Sequence, residues 1–219
     1  MERISKEKCF RIAKRAVDII STSILSVIFS PLAFLVAIAI KLDTRGPIFA
    51  DIPLRVGKDG ELFRFYKFRS MIDNAHNLLH SDSRFKKLYE EYKKGSYKLK
   101  NDPRITRVGK FIRKHSLDEV PQYLNVLKGE MSLVGPRAYY PDELGEQQKK
   151  YPQTKELIKV ALSVKPGITG LWQVSGRSDI NFDKRIALDA YYAKKNSLLL
   201  DLWIMLKTPW VMISGKGAV

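Results

Sequence analysis

Two adjacent carboxylates stand inside the stretch RKHSLDEVPQYLNVLKGEMSLVGPR, residues Arg113–Arg137. Asp118 and Glu119 separate a basic segment from an apolar helix, and a Gly-Pro-Arg turn closes the stretch. Ser116 precedes Glu119 by the three-residue spacing of a capping box, which predicts that both carboxylates lie at a helix start. A later start, with Pro121 in the first turn of the helix, fits the sequence equally well.

The acidic pair supports a structural and a chemical interpretation. In the structural one, the side chains only cap the helix and complement its macrodipole. In the chemical one, the mutual repulsion of Asp118 and Glu119 requires a cation to keep both of them ionised. Mg²⁺ prefers oxygen ligands and commonly shares them with a substrate phosphate, and Arg113 and Arg137 would supply fixed positive charge for that phosphate.

The composition indicates an anionic partner. The chain has 219 residues and a formal net charge of +16, with 39 Lys and Arg against 23 Asp and Glu. Nucleic acid, an acidic membrane surface and a phosphorylated substrate all satisfy this requirement. The single Cys9 excludes an internal disulfide framework and suits a reducing compartment.

A long apolar segment near the N-terminus predicts contact with a membrane. No charged residue occurs from Ile19 to Ile40, a length sufficient to cross a bilayer as a helix. Ser30-Pro31 lies near its middle, and proline removes one helical hydrogen bond there. Both a kinked span and a helix that turns back within the membrane are compatible with this pattern.

Charges on both flanks favour the re-entrant path. Basic residues resist translocation, so basic flanks are best satisfied when both lie on the cytoplasmic side. We therefore predict a re-entrant helix–break–helix hairpin, with Ser30 satisfying the backbone groups that Pro31 frees. The flanking basic residues are Arg3, Lys6, Lys8, Arg11, Lys14 and Arg15 before the run, and Lys41 and Arg45 after it.

An alternating tract follows the apolar segment. Leu54 to Val56, a Lys58-Asp59-Gly60 turn and Leu62 to Arg69 are typical of a β-hairpin. Its period of two predicts one face with Arg64 and Tyr66 and another with Phe63, Phe65 and Lys67. Interleaved basic and aromatic residues are also found in single-strand nucleic-acid binders, which gives an alternative function: a basic, membrane-tethered nucleic-acid-binding protein.

Three other patterns are less informative. His76 and His80 have the i, i+4 spacing of metal ligands, but no third ligand is evident. The glycines of the Lys165–Arg177 loop permit close approach of the backbone to a ligand, although ordinary turns use them too. The C-terminal segment Leu198–Ile213, with two tryptophans, fits an interfacial helix and a core helix equally well.

The chain resembles the bacterial sugar transferase family, the monotopic polyprenyl-phosphate phosphoglycosyl transferases, in their minimal form. Each motif is short, but their order along nearly the whole chain is highly specific. They are Lys14-Arg15 with Asp18, Ser30-Pro31, Arg55-Val56-Gly57, Tyr66-Lys67-Phe68-Arg69-Ser70-Met71, Asp102-Pro103-Arg104, Ser116-Leu117-Asp118-Glu119, Gly135-Pro136-Arg137 and Lys165-Pro166-Gly167-Ile168-Thr169-Gly170.

The resemblance implies a reaction and roles for the acidic pair. Asp118 would attack the β-phosphate of a UDP-sugar and release UMP, and the resulting phosphosugar-aspartate would pass its phosphosugar to polyprenyl (undecaprenyl) phosphate. Glu119 would bind Mg²⁺ with Asp118, or handle the proton of the acceptor. The basic residues expected to bind substrate phosphate are Arg113, Arg137, Lys67, Arg69, Arg55 and Arg177.

The resemblance also implies an architecture and a location. We expect a mixed α/β, mostly helical fold, with a basic N-terminus and membrane hairpin at 1–45. A compact cytoplasmic catalytic domain with a small β-hairpin and interfacial helices would occupy 46–219. The protein would act at the cytoplasmic face of the bacterial inner membrane, in the first membrane step of exopolysaccharide, capsule or glycan assembly. We expect bilayer lipids as partners and no nucleic acid. The sequence leaves the transferred sugar and the oligomeric state open, and a homodimer is one alternative.

Overall fold

The computed structural model describes residues 2–94, 99, 101–176 and 180–214. The predicted mostly helical fold with small sheets is confirmed, since only short strands interrupt the helices. The helices are α1 Glu2–Asp43, α2 Ala75–Ser81, α3 Lys86–Lys94, α4 Arg107–Lys114, α5 Tyr123–Lys128, α6 Pro141–Lys150, α7 Lys155–Ala161, α8 Leu171–Ser175, α9 Phe182–Lys195 and α10 Leu198–Ser214. The strands are β1 Arg55–Val56, β2 Leu62–Phe63, β3 Ser132–Val134 and β4 Gly167–Thr169.

Helix α1 continues through the predicted break. Its 42 residues form one helix with Pro31 inside it, so the helix–break–helix prediction is wrong about an interruption of helical structure. Proline has no N–H for the carbonyl four residues earlier. The hydroxyl of Ser30 donates a 2.8 Å hydrogen bond to that carbonyl, the backbone oxygen of Val27. Ser30 thus has the predicted role, and this local repair lets the helix continue.

Polar side chains fix the first part of α1 to the rest of the protein. Asp18 is buried and accepts a 2.7 Å hydrogen bond from the Ser132 hydroxyl, at the start of β3. Four residues earlier, Lys14 Nζ lies 2.6 Å from Asp201 Oδ2 on α10. These charged contacts anchor the flank that precedes the apolar segment.

The last part of α1 is fixed to the same folded body. Asp43 Oδ2 accepts a 3.1 Å hydrogen bond from the backbone N–H of Val108, at the start of α4. One turn earlier, the buried Ile40 packs in a cluster with Ile112 of α4. Both flanks of the apolar segment therefore contact the domain that follows it.

Between these anchors, α1 exposes a large apolar surface. It is the one helix in the described part of the chain that is long and apolar enough, by length and composition, to cross a membrane. Helix α10 buries Ile204 fully but leaves Leu206 and Trp210 about three-quarters exposed, at 72% and 76%. One face of α10 therefore packs as the core alternative predicts, and the interfacial alternative stays a prediction for its exposed face.

Two small sheets position the loops around the acidic pair. Strands β1 and β2 form the predicted antiparallel hairpin, with Arg55 opposite Phe63. Strands β3 and β4 pair in parallel, which brings Gly135 against Gly167. A Cβ atom on Gly167 would lie 2.0 Å from the Gly135 nitrogen, so the glycine is needed for the approach of two backbone segments.

Candidate active site

The acidic pair lies in a 3₁₀ turn, Leu117–Gln122, that precedes α5. Ser116 adopts a left-handed conformation with φ of 54° and makes no side-chain capping bond, so the predicted capping box is wrong. Its backbone carbonyl instead accepts a 3.2 Å hydrogen bond from the N–H of Glu119. A tight turn places consecutive side chains on different sides, and Asp118 is buried while the Glu119 side chain stays 38% exposed.

The extended segment after β2 is hydrogen-bonded to this turn. The backbone N–H of Phe68 donates to the carbonyl of Asp118 at 2.9 Å. The side chain of Asn125, in α5, makes two further hydrogen bonds to this segment. Its Oδ1 accepts a 3.0 Å bond from the Tyr66 N–H, and its Nδ2 donates a 2.6 Å bond to the Arg64 carbonyl. The side chain between these bonds, Lys67, is thereby brought beside the carboxylates.

Lys67 is the cation nearest to the acidic pair among the ion pairs of the described residues. Its Nζ lies 2.8 Å from Asp118 Oδ2 and 3.6 Å from Glu119 Oε1. Burial raises the pKa of Asp118, Lys67 lowers it and Glu119 raises it again, and the pKa lies above its ordinary value. Lys67 therefore opposes the effect of burial and favours the ionised form that a nucleophile needs.

A cavity of about 270 Å³ contains the pair and most of the predicted basic residues. Phe65 and Lys67 of one predicted hairpin face line this cavity, and Arg64 lies against Tyr66. Strand β2 ends at Phe63, however, and Phe68 and Arg69 line the cavity as well, so the period of two does not continue to Arg69. Phe63 is buried against the core cluster with Val126, which leaves it unable to stack on a base. The predicted site residues that line the cavity are Arg55, Lys67, Arg69, Arg113, Asp118, Glu119 and Arg137.

Arg69 lines the cavity, but its guanidinium clamps the loop after α1. It donates to the carbonyls of Thr44, Arg45 and Pro47 at 2.6 to 2.9 Å, and to the Thr44 hydroxyl. A phosphate contact would require these bonds to break, so the geometry does not support that role for Arg69. Arg177, also predicted to bind phosphate, lies outside the described residues.

Arg55 and Arg137 retain donor capacity toward the cavity. Arg55 donates to the Ala138 carbonyl at 3.2 Å and stacks on Tyr140, and burial lowers its pKa. The backbone N–H of Arg137 donates to Asp189 Oδ2 at 3.2 Å. The Nε atoms of both arginines are buried without a hydrogen-bond partner in the part of the chain that the structure describes, so each guanidinium keeps unsatisfied donors while its residue lines the cavity.

Several buried polar residues near Arg137 were not predicted from the sequence. Glu143 and Arg185 are almost completely buried and paired at 3.1 Å, and Asp189 accepts a 2.8 Å hydrogen bond from the Tyr139 hydroxyl. Burial raises the pKa of Asp189 to about 7. Glu143 belongs to a helix of mostly polar residues, and no local pattern identifies it. Arg185 and Asp189 lie three and seven residues after the buried Phe182, so the helical spacing of α9 could have placed both on its buried face.

The donor set of the acidic pair fits an incomplete magnesium site. No group of three or more His, Cys, Asp or Glu side chains suited to a metal occurs among the residues described. His76 and His80 lie close together, with ring centres 4.3 Å apart and ring planes tilted by 43°, but they have no third ligand in that part of the chain. Asp118 and Glu119 could supply two carboxylates. Mg²⁺ commonly takes one or two carboxylates and completes its shell with phosphate and water, so this pair is compatible with the ion.

Comparisons with known proteins cover nearly the whole chain. Residues 9–215 match the family described as bacterial sugar transferase. The chain is 43% identical over 212 residues to an undecaprenyl-phosphate galactose phosphotransferase of Salmonella typhimurium, covering 95% of this chain and 42% of that protein. It is 40% identical over 207 residues to the exopolysaccharide production protein ExoY of Rhizobium meliloti, covering 94% and 88%.

A third relative is also similar over nearly the whole of this chain. The UDP-glucose:undecaprenyl-phosphate glucose-1-phosphate transferase of Escherichia coli is 35% identical over 213 residues, covering 95% of this chain and 42% of that protein. The chain thus spans less than half the length of two of these relatives and most of the length of ExoY. The match of motifs, in order and over almost every residue, shows that this chain belongs to the bacterial sugar transferase family.

Proposed function

We propose that this protein transfers a sugar-1-phosphate from a UDP-sugar to polyprenyl phosphate and releases UMP. The observation that carries the proposal is the buried Asp118, held 2.8 Å from Lys67 in a cavity that also contains Arg55, Arg113 and Arg137. Two relatives named above act, by their names, on undecaprenyl phosphate, and one of these uses UDP-glucose. The arrangement suits phosphoryl transfer, in which positioning and charge stabilisation carry most of the catalysis.

In the first half-reaction, a carboxylate oxygen of Asp118 attacks the β-phosphorus of the donor. A bond forms between that oxygen and phosphorus, and the bond from the same phosphorus to the bridging oxygen breaks. UMP leaves with the bridging oxygen and its electron pair, and the sugar phosphate stays on the protein as an aspartyl-phosphosugar. Carboxylates serve as such nucleophiles in aspartyl-phosphate enzymes.

In the second half-reaction, an oxygen of polyprenyl phosphate attacks the same phosphorus. The bond from phosphorus to the Asp118 oxygen breaks, the carboxylate is regenerated, and polyprenyl diphosphate sugar is released. If the acceptor phosphate arrives protonated, Glu119 accepts its proton, because its side chain is 38% exposed in the cavity beside Asp118.

The basic residues divide into two roles. Lys67 keeps Asp118 ionised through its direct contact and lies close enough to meet the phosphate under attack. Arg55, Arg113 and Arg137 carry fixed charge at the cavity wall, where planar guanidinium groups can bind two phosphate oxygens at once. Because these guanidinium groups are in place before the donor binds, the site needs little reorganisation during the reaction.

Mg²⁺ belongs to the proposal as the cofactor of the acidic pair. Asp118 and Glu119 would hold the ion, and when bound it would neutralise charge on the diphosphate. Chelation with EDTA should therefore abolish UMP release and added Mg²⁺ should restore it. Full activity in EDTA would remove the cofactor from the proposal and leave Lys67 as the counter-ion of the pair.

The proposed setting is the cytoplasmic face of the bacterial inner membrane, with α1 bent at Pro31 so that it enters and leaves the bilayer on one side. Contacts of both ends of α1 with the same domain support this path, as does the exposed apolar surface between them. A lipid phosphate and a soluble nucleotide sugar could then reach one cavity. The product would begin the assembly of an exopolysaccharide, capsule or other glycan.

A donor screen tests the reaction directly. Purified protein in nanodiscs is incubated with polyprenyl phosphate and each of several UDP-sugars, and the released nucleotide is identified. We expect UMP with at least one donor, and the preferred donor identifies the sugar. Release of UDP would show direct glycosyl transfer and overturn the proposal.

A further inference from the structure

The Arg137 guanidinium carbon lies 5.5 Å from the Trp172 ring centre and 5.8 Å from that of Tyr139, and within the described chain this guanidinium has one ion pair, which is long. Its Nη2 lies 3.8 Å from Glu143 Oε2, which is too far for a hydrogen bond. The side chain remains 18% exposed and lines the cavity. The guanidinium is thus oriented by charge and by the two rings, and its terminal nitrogens have no hydrogen-bond partner among the described residues.

Glu143 is shared between two guanidinium groups. It is 0% exposed, and its Oε1 accepts a 3.1 Å hydrogen bond from Arg185 Nη2 while Oε2 lies toward Arg137. Within the described chain, Oε2 has no hydrogen bond at all. Burying a carboxylate costs free energy unless hydrogen bonds and positive charges compensate it. Among the residues that the structure describes, only one of the two Glu143 oxygens accepts a hydrogen bond.

Arg185 fixes the far side of this carboxylate. It is 2% exposed, and its guanidinium carbon lies 5.6 Å from the ring centres of Tyr139 and Trp172 and 5.8 Å from that of Phe182. Aromatic rings on several sides hold a planar guanidinium in one orientation. Because these rings restrict rotation of the Arg185 side chain, its hydrogen bond to Glu143 restricts the position of that carboxylate as well.

The local charge is positive before any substrate binds. Arg55, Arg137 and Arg185 bring three positive charges, and the buried carboxylates that contact Arg137 and Arg185 are Glu143 and Asp189. The part of the cavity around the acidic pair adds two cations, Lys67 and Arg113, and two carboxylates, Asp118 and Glu119, so five positive charges face four negative ones. Asp189 uses one oxygen for the Tyr139 hydroxyl and the Arg137 N–H. An anion entering the cavity would therefore offset charge that the described residues leave uncompensated.

We propose that Glu143 and Arg185 are positioning residues that hold the Arg137 guanidinium toward the diphosphate of the donor. The inference rests on the proposed function, since it assigns the anion to a nucleotide sugar. Neither side chain is accessible enough to touch the substrate, so both act through Arg137. The chain from Arg185 through Glu143 to Arg137 connects α9 and α6 to the cavity wall.

Steady-state UMP release tests the proposal with Glu143→Gln, which keeps the shape of the side chain and removes its charge. We expect the KM for the UDP-sugar to rise about tenfold with kcat within about threefold, because the lost interaction acts on the bound donor as well as on the transition state. The KM for polyprenyl phosphate should stay unchanged. Glu146→Gln is the matched control, since Glu146 lies exposed on the same helix and pairs with Lys149.

A double-mutant cycle separates positioning from a purely structural role. In an Arg137→Met background, Glu143→Gln should have no further effect on the donor KM, since the group that it positions is gone. An equal effect in both backgrounds, or an equal rise in both KM values, would overturn the inference. If Glu143→Gln fails to fold, Glu143→Asp replaces it in the same cycle.

The same measurements distinguish this inference from the proposed function. If Arg137→Met raises the donor KM and Glu143→Gln does not, the positioning role is wrong and the phosphate role of Arg137 stands. If Arg137→Met leaves the donor KM unchanged, the phosphate role is wrong, and the positioning role is wrong with it. Direct titration of UMP onto each variant should show the same order of affinities as the donor KM values.

Discussion

Lys67 Nζ lies 2.8 Å from Asp118 Oδ2, although the two residues belong to different segments of the chain. The contact depends on the backbone bond from the Phe68 N–H to the Asp118 carbonyl, which aligns the two segments residue by residue. A buried carboxylate would otherwise favour its protonated form. Lys67, together with Arg113, therefore opposes the effect of burial and lowers the pKa of Asp118, which favours the ionised form that a nucleophile needs.

Asp118→Asn should lower UMP release by a factor on the order of 10³ or more, because the amide cannot form the covalent intermediate. The variant should unfold at a temperature close to that of the unmodified protein. Asp59→Asn is the matched control, since Asp59 lies in the exposed hairpin turn and tolerates the same change. Turnover of Asp118→Asn near the unmodified rate would exclude this residue as the nucleophile.

Lys67→Met should shift the acid limb of the pH–rate profile to higher pH. Lys67 lowers the pKa of Asp118, so its removal raises that pKa further, and activity is then lost at a higher pH as acid is added. Lys67→Arg retains the positive charge and should move the limb much less. An unchanged limb in Lys67→Met would contradict the proposed electrostatic role.

Asp189 should make the stability of the protein depend on pH. Burial raises its pKa to about 7 from the ordinary 3.8, so the folded state binds a proton that the unfolded state loses at lower pH. The free energy of unfolding should fall by up to about 1.4 kcal/mol per pH unit as pH rises through this window. Thermal unfolding from pH 5 to 8 measures the slope, and Asp189→Asn should reduce it while Asp59→Asn should not.

Lys14→Met should destabilise the protein by about 2 to 3 kcal/mol, because it leaves Asp201 buried without its cation. The 18% exposure of Lys14 reduces this cost relative to a fully buried pair. Adding Asp201→Leu to the same protein should recover part of the loss. Thermal or denaturant unfolding of the four proteins in the cycle checks this, and strictly additive effects would show that the pair has no coupling.

Cysteine labelling tests the proposed path of α1. In a Cys9→Ser background, cysteines introduced at the exposed Lys8 and Arg45 should react with an impermeant maleimide from the same side of the membrane. The structural reason is that both flanks of the apolar segment contact one domain. Labelling from opposite sides would show that the helix spans the bilayer.

Some features were predictable because they depend on composition and local order. A run without charges from Ile19 to Ile40 specifies an apolar helix, and Ser30 before Pro31 specifies the side-chain repair of the Val27 carbonyl. The turn at Lys58–Gly60 between two alternating tracts predicted the antiparallel pairing of β1 and β2. Each of these signals extends over a few neighbouring residues, which is the range over which a sequence pattern can be interpreted.

A local signal was wrong where tertiary contacts compete with it. The spacing of Ser116 and Glu119 predicts a capping box, but Ser116 takes a left-handed conformation in a tight turn instead. The family resemblance implies a phosphate role for Arg69, which stays a prediction, but carbonyl groups of the preceding loop bind its guanidinium. In both cases a hydrogen bond or turn formed by packing competes with the expectation from the sequence.

The sequence by itself determined the family, the apolar helix and the acidic pair, because residue type and order carry that information. Only the tertiary structure decided which cation faces Asp118, that Arg69 secures a loop, and that Glu143 joins Arg185 to Arg137. The physical reason is that these contacts link distant segments whose alignment is set by backbone hydrogen bonds and buried packing. Such alignment leaves no periodic trace in the chain.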